Sequence, residues 1–152
     1  MSISALQSLE TLAVDNNRLK EFPSGCLRIP NLKHLWLRQN KITDLPDNID
    51  CMTSLETLSV SSNALVVLPQ CLPFMLSLQK VFANGNKIEI VSSNLCQLPN
   101  LQELNLANNE IARIPIAWKE AWGEYDIAVG EYKKSAACKA KITLRGNPLS
   151  EE

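Results

Sequence analysis

A block of eleven residues recurs along the chain, and this recurrence limits the fold to repeat architectures. The copy at Leu32–Ile42, LKHLWLRQNKI, reads L-x-x-L-x-L-x-x-N-x-I, and its asparagine returns at a constant step of 23 residues. A degraded sixth copy, KAKITLRGNPL, follows an insertion of 15 residues. A fixed period of this size predicts a solenoid, because so small a unit buries its apolar face only by stacking on its neighbours. The five regular repeats start near Leu9, Leu32, Leu55, Leu78 and Leu101.

Within each block, apolar and polar residues alternate as they do in a strand with one buried face. Stacked blocks would then form a parallel sheet over a shared core. The residues predicted to point inward are Leu35, Leu37, Leu58, Val60, Val81, Ala83, Leu104 and Leu106. The residues between them point outward, and the central outward column consists of Ala13, Trp36, Ser59, Phe82, Asn105 and Thr143.

These blocks resemble leucine-rich repeats. The spacers between them, such as LPDNIDCMTSL (Leu45–Leu55) and LPQCLPFMLSL (Leu68–Leu78), resemble those of the intracellular Ras-group repeats of Scribble- and Erbin-like scaffolds. The resemblance implies an α/β leucine-rich repeat solenoid with its parallel sheet on the concave face. Short helical turns and loops would form the convex side. The length suits a single domain over residues 1–152.

The insertion, at about residues 116–139, carries a different pattern. Its apolar residues are spaced by three or four positions, which predicts a helix with one apolar face formed by Trp118, Trp122, Tyr125, Val129, Tyr132 and Ala136. We predict that this helix folds back as a C-terminal cap, since repeat arrays need capping elements for solubility. A partner-binding or dimer surface that uses Trp118 or Trp122 is the alternative. A terminal strand and closing cap are predicted at about residues 140–152.

The composition argues against several functional classes. The chain has 15 basic and 16 acidic residues, so a nucleic-acid-binding surface is not expected. No apolar run reaches the roughly 20 residues of a membrane helix. Nucleotide-binding, metalloprotease and hydrolase motifs are absent, so we predict that the chain is not an enzyme and needs no cofactor.

The cysteines and the N-terminus indicate the compartment. The five cysteines have no metal-binding spacing, which predicts no metal site. The first residues, MSISALQSL, lack the charged start and apolar core of a signal peptide. Free thiols persist in reducing compartments, so we predict a cytoplasmic protein with reduced cysteines.

One asparagine occupies the same position in every block, and we predict that its role is structural. A side-chain amide at a tight turn can bond the backbone of its own coil and of the neighbouring coil. Backbone groups that would otherwise be buried without a hydrogen-bond partner then have one. The predicted ladder consists of Asn17, Asn40, Asn63, Asn86, Asn109 and Asn147.

The outward strand positions are the best candidates for a binding site. Trp36 and Phe82 lie one coil away from Ser59 on either side, which predicts a shallow trough with aromatic walls roughly 10 Å apart. Aromatic anchors dominate binding energy at protein interfaces. The basic surroundings of Trp36 would suit an acidic or phosphorylated peptide, and an ordinary solvated face is an equally good interpretation. The polar residues predicted to add specificity are His34, Arg38, Ser59, Asn84 and Asn105.

We therefore predict that the protein functions in protein recognition. It would be a monomeric module or adaptor that binds a protein partner on its concave face. The resemblance to Ras-group repeats implies a scaffold in signal transduction, whose partner is a small GTPase-pathway protein or another signalling protein. The alternative is the targeting repeat domain of a longer signalling enzyme or bacterial effector. Because Ile3 and Leu6 fit the middle of a spacer, we expect the chain to be the C-terminal part of a longer solenoid.

Overall fold

The structure, a computed structural model, describes residues 6–132 and 139–150. Its strands are β1 (Thr11–Ala13), β2 (His34–Trp36), β3 (Thr57–Ser59), β4 (Lys80–Phe82), β5 (Glu103–Asn105), β6 (Tyr125–Asp126), β7 (Glu131–Tyr132) and β8 (Lys141–Thr143). Strands β1 to β5 and β8 pair in parallel in chain order, one strand from each block. Each residue lies opposite its equivalent in the next block, so Ser59 pairs with Trp36 on one side and with Phe82 on the other. Equivalent residues therefore form columns across the sheet.

The core lies between the sheet and the spacers. All eight strand residues predicted to point inward are 0% exposed. They meet the buried apolar residues of the spacers, which turn through short 3₁₀ helices at Ser24–Arg28, Ile49–Cys51, Leu72–Phe74 and Ser93–Gln97. Each fully buried side chain of this kind contributes about 1.5–3 kcal/mol of transfer free energy. The predicted repeat solenoid, with one sheet and little helix, is confirmed.

The insertion differs from the single helix predicted for residues 116–139. The helix α1 (Ile116–Trp122) has two turns and ends at Gly123, whose φ of 87° cannot continue an α-helix. Strands β6 and β7 then form an antiparallel hairpin, and β7 pairs with β8. In the turn of this hairpin, the Asp126 carboxylate accepts hydrogen bonds from the amides of Ala128 and Val129. The predicted apolar stripe is thus wrong beyond Trp122: Val129 is exposed in the hairpin turn, and Ala136 lies outside the described residues.

The aromatic residues of the insertion pack together although they do not share one helix. The Trp118 and Trp122 rings are 4.7 Å apart between centroids, and Tyr132 meets the Trp122 ring edge-on at 5.6 Å. The Tyr125 ring lies 5.3 Å from that of Tyr132. The Trp118 and Trp122 side chains are buried, so neither offers the partner-binding surface that was the alternative to a cap.

Gly130 sets how closely the hairpin approaches the last coil, and its replacement by alanine should destabilise the protein by about 2 kcal/mol. Its φ is 77°, a conformation that costs an L-residue about 1–2 kcal/mol. An added Cβ would also overlap the Cβ of Arg145 and lie 2.8 Å from its Cα. Chemical unfolding measures the loss. Val129→Ala is the control, because it changes an exposed residue of the same turn and should leave the unfolding free energy within about 0.5 kcal/mol. Equal stability of Gly130→Ala and wild type would mean that the hairpin does not pack on the last coil.

Candidate functional site

The asparagine column bonds successive coils along one edge of the sheet. The Asn86 amide group donates to the carbonyls of Ala83, in its own coil, and of Val60, one coil earlier. Its Oδ1 accepts from the amide of Leu65, also one coil earlier. Donors and acceptors of the same kind recur at Asn40, Asn63, Asn109 and Asn147. These side chains therefore serve the backbone and are not directed toward a ligand.

The outer side of the sheet is recessed along β3. The three outward-facing side chains on β3 and just after it, Thr57, Ser59 and Ser61, are small and buried. Trp36 on β2 and Phe82 on β4 stand on either side and are half-buried, so each keeps apolar surface in contact with solvent. The depression between them has a volume of about 410 Å³. We call it the β3 furrow; its lining residues are Trp36, Arg38, Gln39, Ser59, Ser61, Ser62, Phe82 and Asn84.

Five of the seven predicted binding residues line the β3 furrow, and two do not. His34 lies at the other end of β2 from the furrow, and the Asn105 Oδ1 accepts a hydrogen bond from the amide of Ala107. The lining residues that were not predicted are Gln39, Ser61 and Ser62. They follow the strands at the turn before the asparagine column. The 23-residue register alone could have identified them, because it places Ser61 beside Arg38 and Asn84.

Two of the basic groups near Trp36, on Arg38 and Lys33, are paired with carboxylates one coil earlier. The Arg38 guanidinium lies 2.9 Å from Oδ2 of Asp15 and 5.5 Å from the centroid of the Trp36 ring. The Lys33 ammonium lies 2.9 Å from Oε1 of Glu10, and this hydrogen bond, with the charge of Glu10, raises the pKa of Lys33. Arg38 and Lys33 therefore add little net charge near the furrow, which disfavours the predicted acidic or phosphorylated ligand.

Two hydroxyl groups in the furrow differ in their partners. The Ser61 hydroxyl donates to Oδ1 of Asn84 at 2.7 Å, which leaves the Asn84 Nδ2 group able to donate outward. Ser59 lies directly between the two aromatic residues and is 0% exposed. Within the described part of the chain, its Oγ is the buried side-chain polar atom that has no hydrogen-bond partner.

The four cysteines that the structure describes do not form a second site. Burial raises the pKa of the Cys26 thiol to about 11, so this side chain is a neutral core residue. Burial also raises the pKa of the Cys71 and Cys96 thiols, which lowers their reactivity. The four cysteines that the structure describes are free, and Cys138 lies outside those residues. Residues 6–132 and 139–150 contain no group of three or more side chains that could hold a metal ion.

A second, larger depression of about 640 Å³ lies beside the insertion. It is lined by α1, the β6–β7 hairpin and the chain around Leu149, with Arg113 and Lys119 among its polar residues. None of the helices among the described residues is both long and apolar enough to cross a membrane.

Two family models match the chain. The model described as "Leucine rich repeat" matches residues 7–65, and the model described as "Leucine Rich repeats (2 copies)" matches residues 76–118. Both describe repeats, and no catalytic family is among the matches. A search of curated protein sequences finds no match to the chain.

Solved structures resemble the chain over most of its length. A leucine-rich repeat protein of Leptospira interrogans is 23% identical, with a TM-score of 0.78, over 97% of this chain and 40% of that one. An internalin of Listeria monocytogenes is 22% identical, with a TM-score of 0.72, over 97% of this chain and 37% of that one. The chain thus spans less than half the length of either protein. The plant peptide hormone receptor RGFR1, in complex with RGF2, is 23% identical over 81% of this chain and 21% of the receptor, with a TM-score of 0.67. At these identities the likeness shows the fold alone.

Proposed function

This chain belongs to the leucine-rich repeat family, whose domains generally mediate protein–protein interaction, and we propose that it binds a protein partner on the outer side of its sheet. That side would be the concave face of the solenoid, with the spacers on the convex side. The observation that carries the proposal is the β3 furrow. Two half-buried aromatic side chains, Trp36 and Phe82, flank a recess there, and buried aromatic anchors supply much of the binding energy at protein interfaces.

The rigidity of the sheet supports the same proposal. Trp36 and Phe82 are carried by parallel strands whose inward-facing residues are fully buried, so the backbone loses little conformational freedom when a partner binds. A preformed surface lowers the conformational entropy cost of association. The Arg38 guanidinium lies over the Trp36 ring and is paired with Asp15, so it is positioned at the rim of the furrow. We propose that Arg38 and Asn84 donate hydrogen bonds to the partner at the rim.

The remaining assignments follow from the sequence and are part of the proposal. We place the protein in the cytoplasm as a single repeat domain and a monomer, acting as a scaffold or adaptor in signal transduction. Its partner would be a small GTPase-pathway protein or another signalling protein, as the resemblance to Ras-group repeats implies. The aromatic residues of α1 and the β6–β7 hairpin would close the C-terminal end of the core. The targeting domain of a longer signalling enzyme or bacterial effector stays the alternative prediction.

The test compares partner binding by wild type and by the double variant Trp36→Ala/Phe82→Ala. We expect the affinity for a partner captured from the native lysate to fall at least about tenfold, because both aromatic anchors are removed. Isothermal titration with the purified partner measures the change. Circular dichroism and melting curves check that the variant is folded.

The matched control is Phe74→Ala/Leu76→Ala, which removes two apolar side chains that are 71% and 69% exposed in a spacer. This control should bind as wild type does. If the control loses the partner and Trp36→Ala/Phe82→Ala retains it, the binding surface is the spacer side and the proposal is wrong.

A further inference from the structure

We propose that the β3 furrow takes a narrow, uncharged, extended segment of the partner that lies along β3 and hydrogen-bonds the hydroxyl of Ser59 through a main-chain carbonyl. This inference rests on the proposed function, since it specifies what the partner presents to the same face. One buried polar group in the furrow lacks a hydrogen-bond partner in the described part of the chain. The Ser59 Oγ is fully buried, lies between Trp36 and Phe82, and has no hydrogen-bond partner among the described residues. A buried hydroxyl without a partner is unfavourable, so a ligand that supplies an acceptor gains from it.

The shape of the furrow favours an extended chain. Strands β2 and β4 are two strand spacings apart, roughly 10 Å, and one extended chain is about 4.8 Å wide. The volume of about 410 Å³ lies within the range of roughly 300–1,000 Å³ that ligand sites occupy. The floor includes Ser59 and Ser61, which are alternate residues at the end of β3 and just after it. Alternate residues of an extended partner have nearly the same interval, so small partner residues at every second position would fit this floor.

The electrostatics of the furrow favour an uncharged ligand. The Arg38 guanidinium is already paired with Asp15, so no unbalanced positive charge faces the recess from this side chain. Two uncharged donors also line the furrow, the Ser59 hydroxyl and the Nδ2 of Asn84, and they donate to neutral acceptors as well as to anions. Binding of a phosphate would require a positively charged side chain that is not already paired with a carboxylate. Main-chain carbonyls match these donors without adding charge.

Binding at Ser59 should be detectable by tryptophan fluorescence, because Trp36 lies beside it. Because Ser59 is 0% exposed in the free protein, we expect a partner atom to reach its hydroxyl only after a side chain that lines the furrow changes rotamer, while the strands stay in place. The chain has three tryptophans, and the other two, Trp118 and Trp122, are buried in the insertion. Binding in the furrow should therefore change the fluorescence of Trp36. The variant Trp36→Phe should lack this change.

The test uses a display library of short, random, unphosphorylated peptides selected on the wild-type protein, with affinities measured by tryptophan fluorescence. We expect enriched peptides with small residues at alternate positions and an affinity that changes little with salt. Ser59→Ala should weaken these peptides about tenfold by removing the donor. The same variant should raise the melting temperature of the free protein, because it removes a buried hydroxyl that lacks a partner. If the Ser59 hydroxyl only stabilised the fold, Ser59→Ala would instead lower the melting temperature.

Four outcomes would contradict this inference, and they separate it from the proposed function. If Ser59→Ala binds as wild type does while Trp36→Ala/Phe82→Ala does not, the face is right and the extended segment in the furrow is wrong. If neither variant loses binding, both proposals are wrong. If the selected peptides are acidic and their binding weakens steeply with salt, the ligand is an anion and the uncharged segment is excluded. A lower melting temperature of Ser59→Ala would show that the hydroxyl is satisfied within the protein, which also overturns the inference.

Discussion

Trp118→Ala should lower the free energy of unfolding by about 3–5 kcal/mol, the largest effect that we expect from a single substitution in this chain. The Trp118 side chain is fully buried and packs on Trp122 at 4.7 Å between ring centroids. Its indole N–H also donates to the carbonyl of Ser92 at 3.1 Å, which ties α1 to the fourth spacer. Alanine would leave a cavity of several carbon atoms and remove this hydrogen bond. Urea unfolding followed by circular dichroism measures the loss.

Two variants separate the causes of this effect. Trp118→Phe keeps most of the apolar volume and loses the donor to Ser92, so we expect a smaller loss of about 1–2 kcal/mol. Ile116→Ala, at a residue of the same helix that is 81% exposed, should leave the stability within about 0.5 kcal/mol. If Trp118→Ala were no less stable than Ile116→Ala, the helix would not be packed on the core, and its role in closing the C-terminal end would have to be abandoned.

The coils were predictable because one period governs both the alternation of strand residues and the stacking of blocks. Leu58 and Val60 could be placed inside and Ser59 outside from the pattern alone, and the 23-residue step also predicted that Ser59 lies between Trp36 and Phe82. What the pattern did not reveal is that Ser59 is fully covered. Its exposure depends on the rotamers of the surrounding side chains, which the register does not specify.

The insertion was predicted less well because two structures fit its spacing. A step of three or four residues places Trp118, Trp122 and Tyr132 on one helical face, and a short helix followed by a hairpin also brings their rings together. Gly123 and the side-chain turn at Asp126 end the helix and start the hairpin, and these local signals were outweighed by the apolar periodicity. Tertiary pairing of β7 with β8 then stabilises the extended form.

A second feature of the coils was also missed. The residue before each ladder asparagine has a positive φ, for example 52° at Gln39 and 56° at Ser62. Gly85 occupies the same position in the fourth block with φ of 69°, and this glycine was the available signal, because glycine adopts such angles without steric cost. The tight turn orients the following asparagine toward the preceding coil. The ladder therefore depends on backbone geometry that the block consensus alone does not specify.

This dependence leads to the second large effect: Asn109→Ala should lower the free energy of unfolding by about 3 kcal/mol. The Asn109 amide donates to the carbonyls of Ala83 and Leu106 at 3.0 and 2.9 Å, and its Oδ1 accepts from the amide of Ile88 at 3.1 Å. All three contacts are buried, and each backbone group left without a partner costs about 1–3 kcal/mol, part of which relaxation recovers. Alanine cannot replace any of them.

Asn17→Ala is the matched control, because Asn17 occupies the same position in the first coil but is exposed, and its amide donates to carbonyls of its own coil, at Val14 and Asp15. Water can satisfy the groups that this variant frees, so we expect a loss of less than about 1 kcal/mol. Denaturant unfolding of both variants gives the difference between them, which reports the bonds that cross from one coil to the next. Equal losses at the two positions would mean that the asparagines stabilise only their own turns, and the stacking of coils would then depend on the apolar core and the sheet alone.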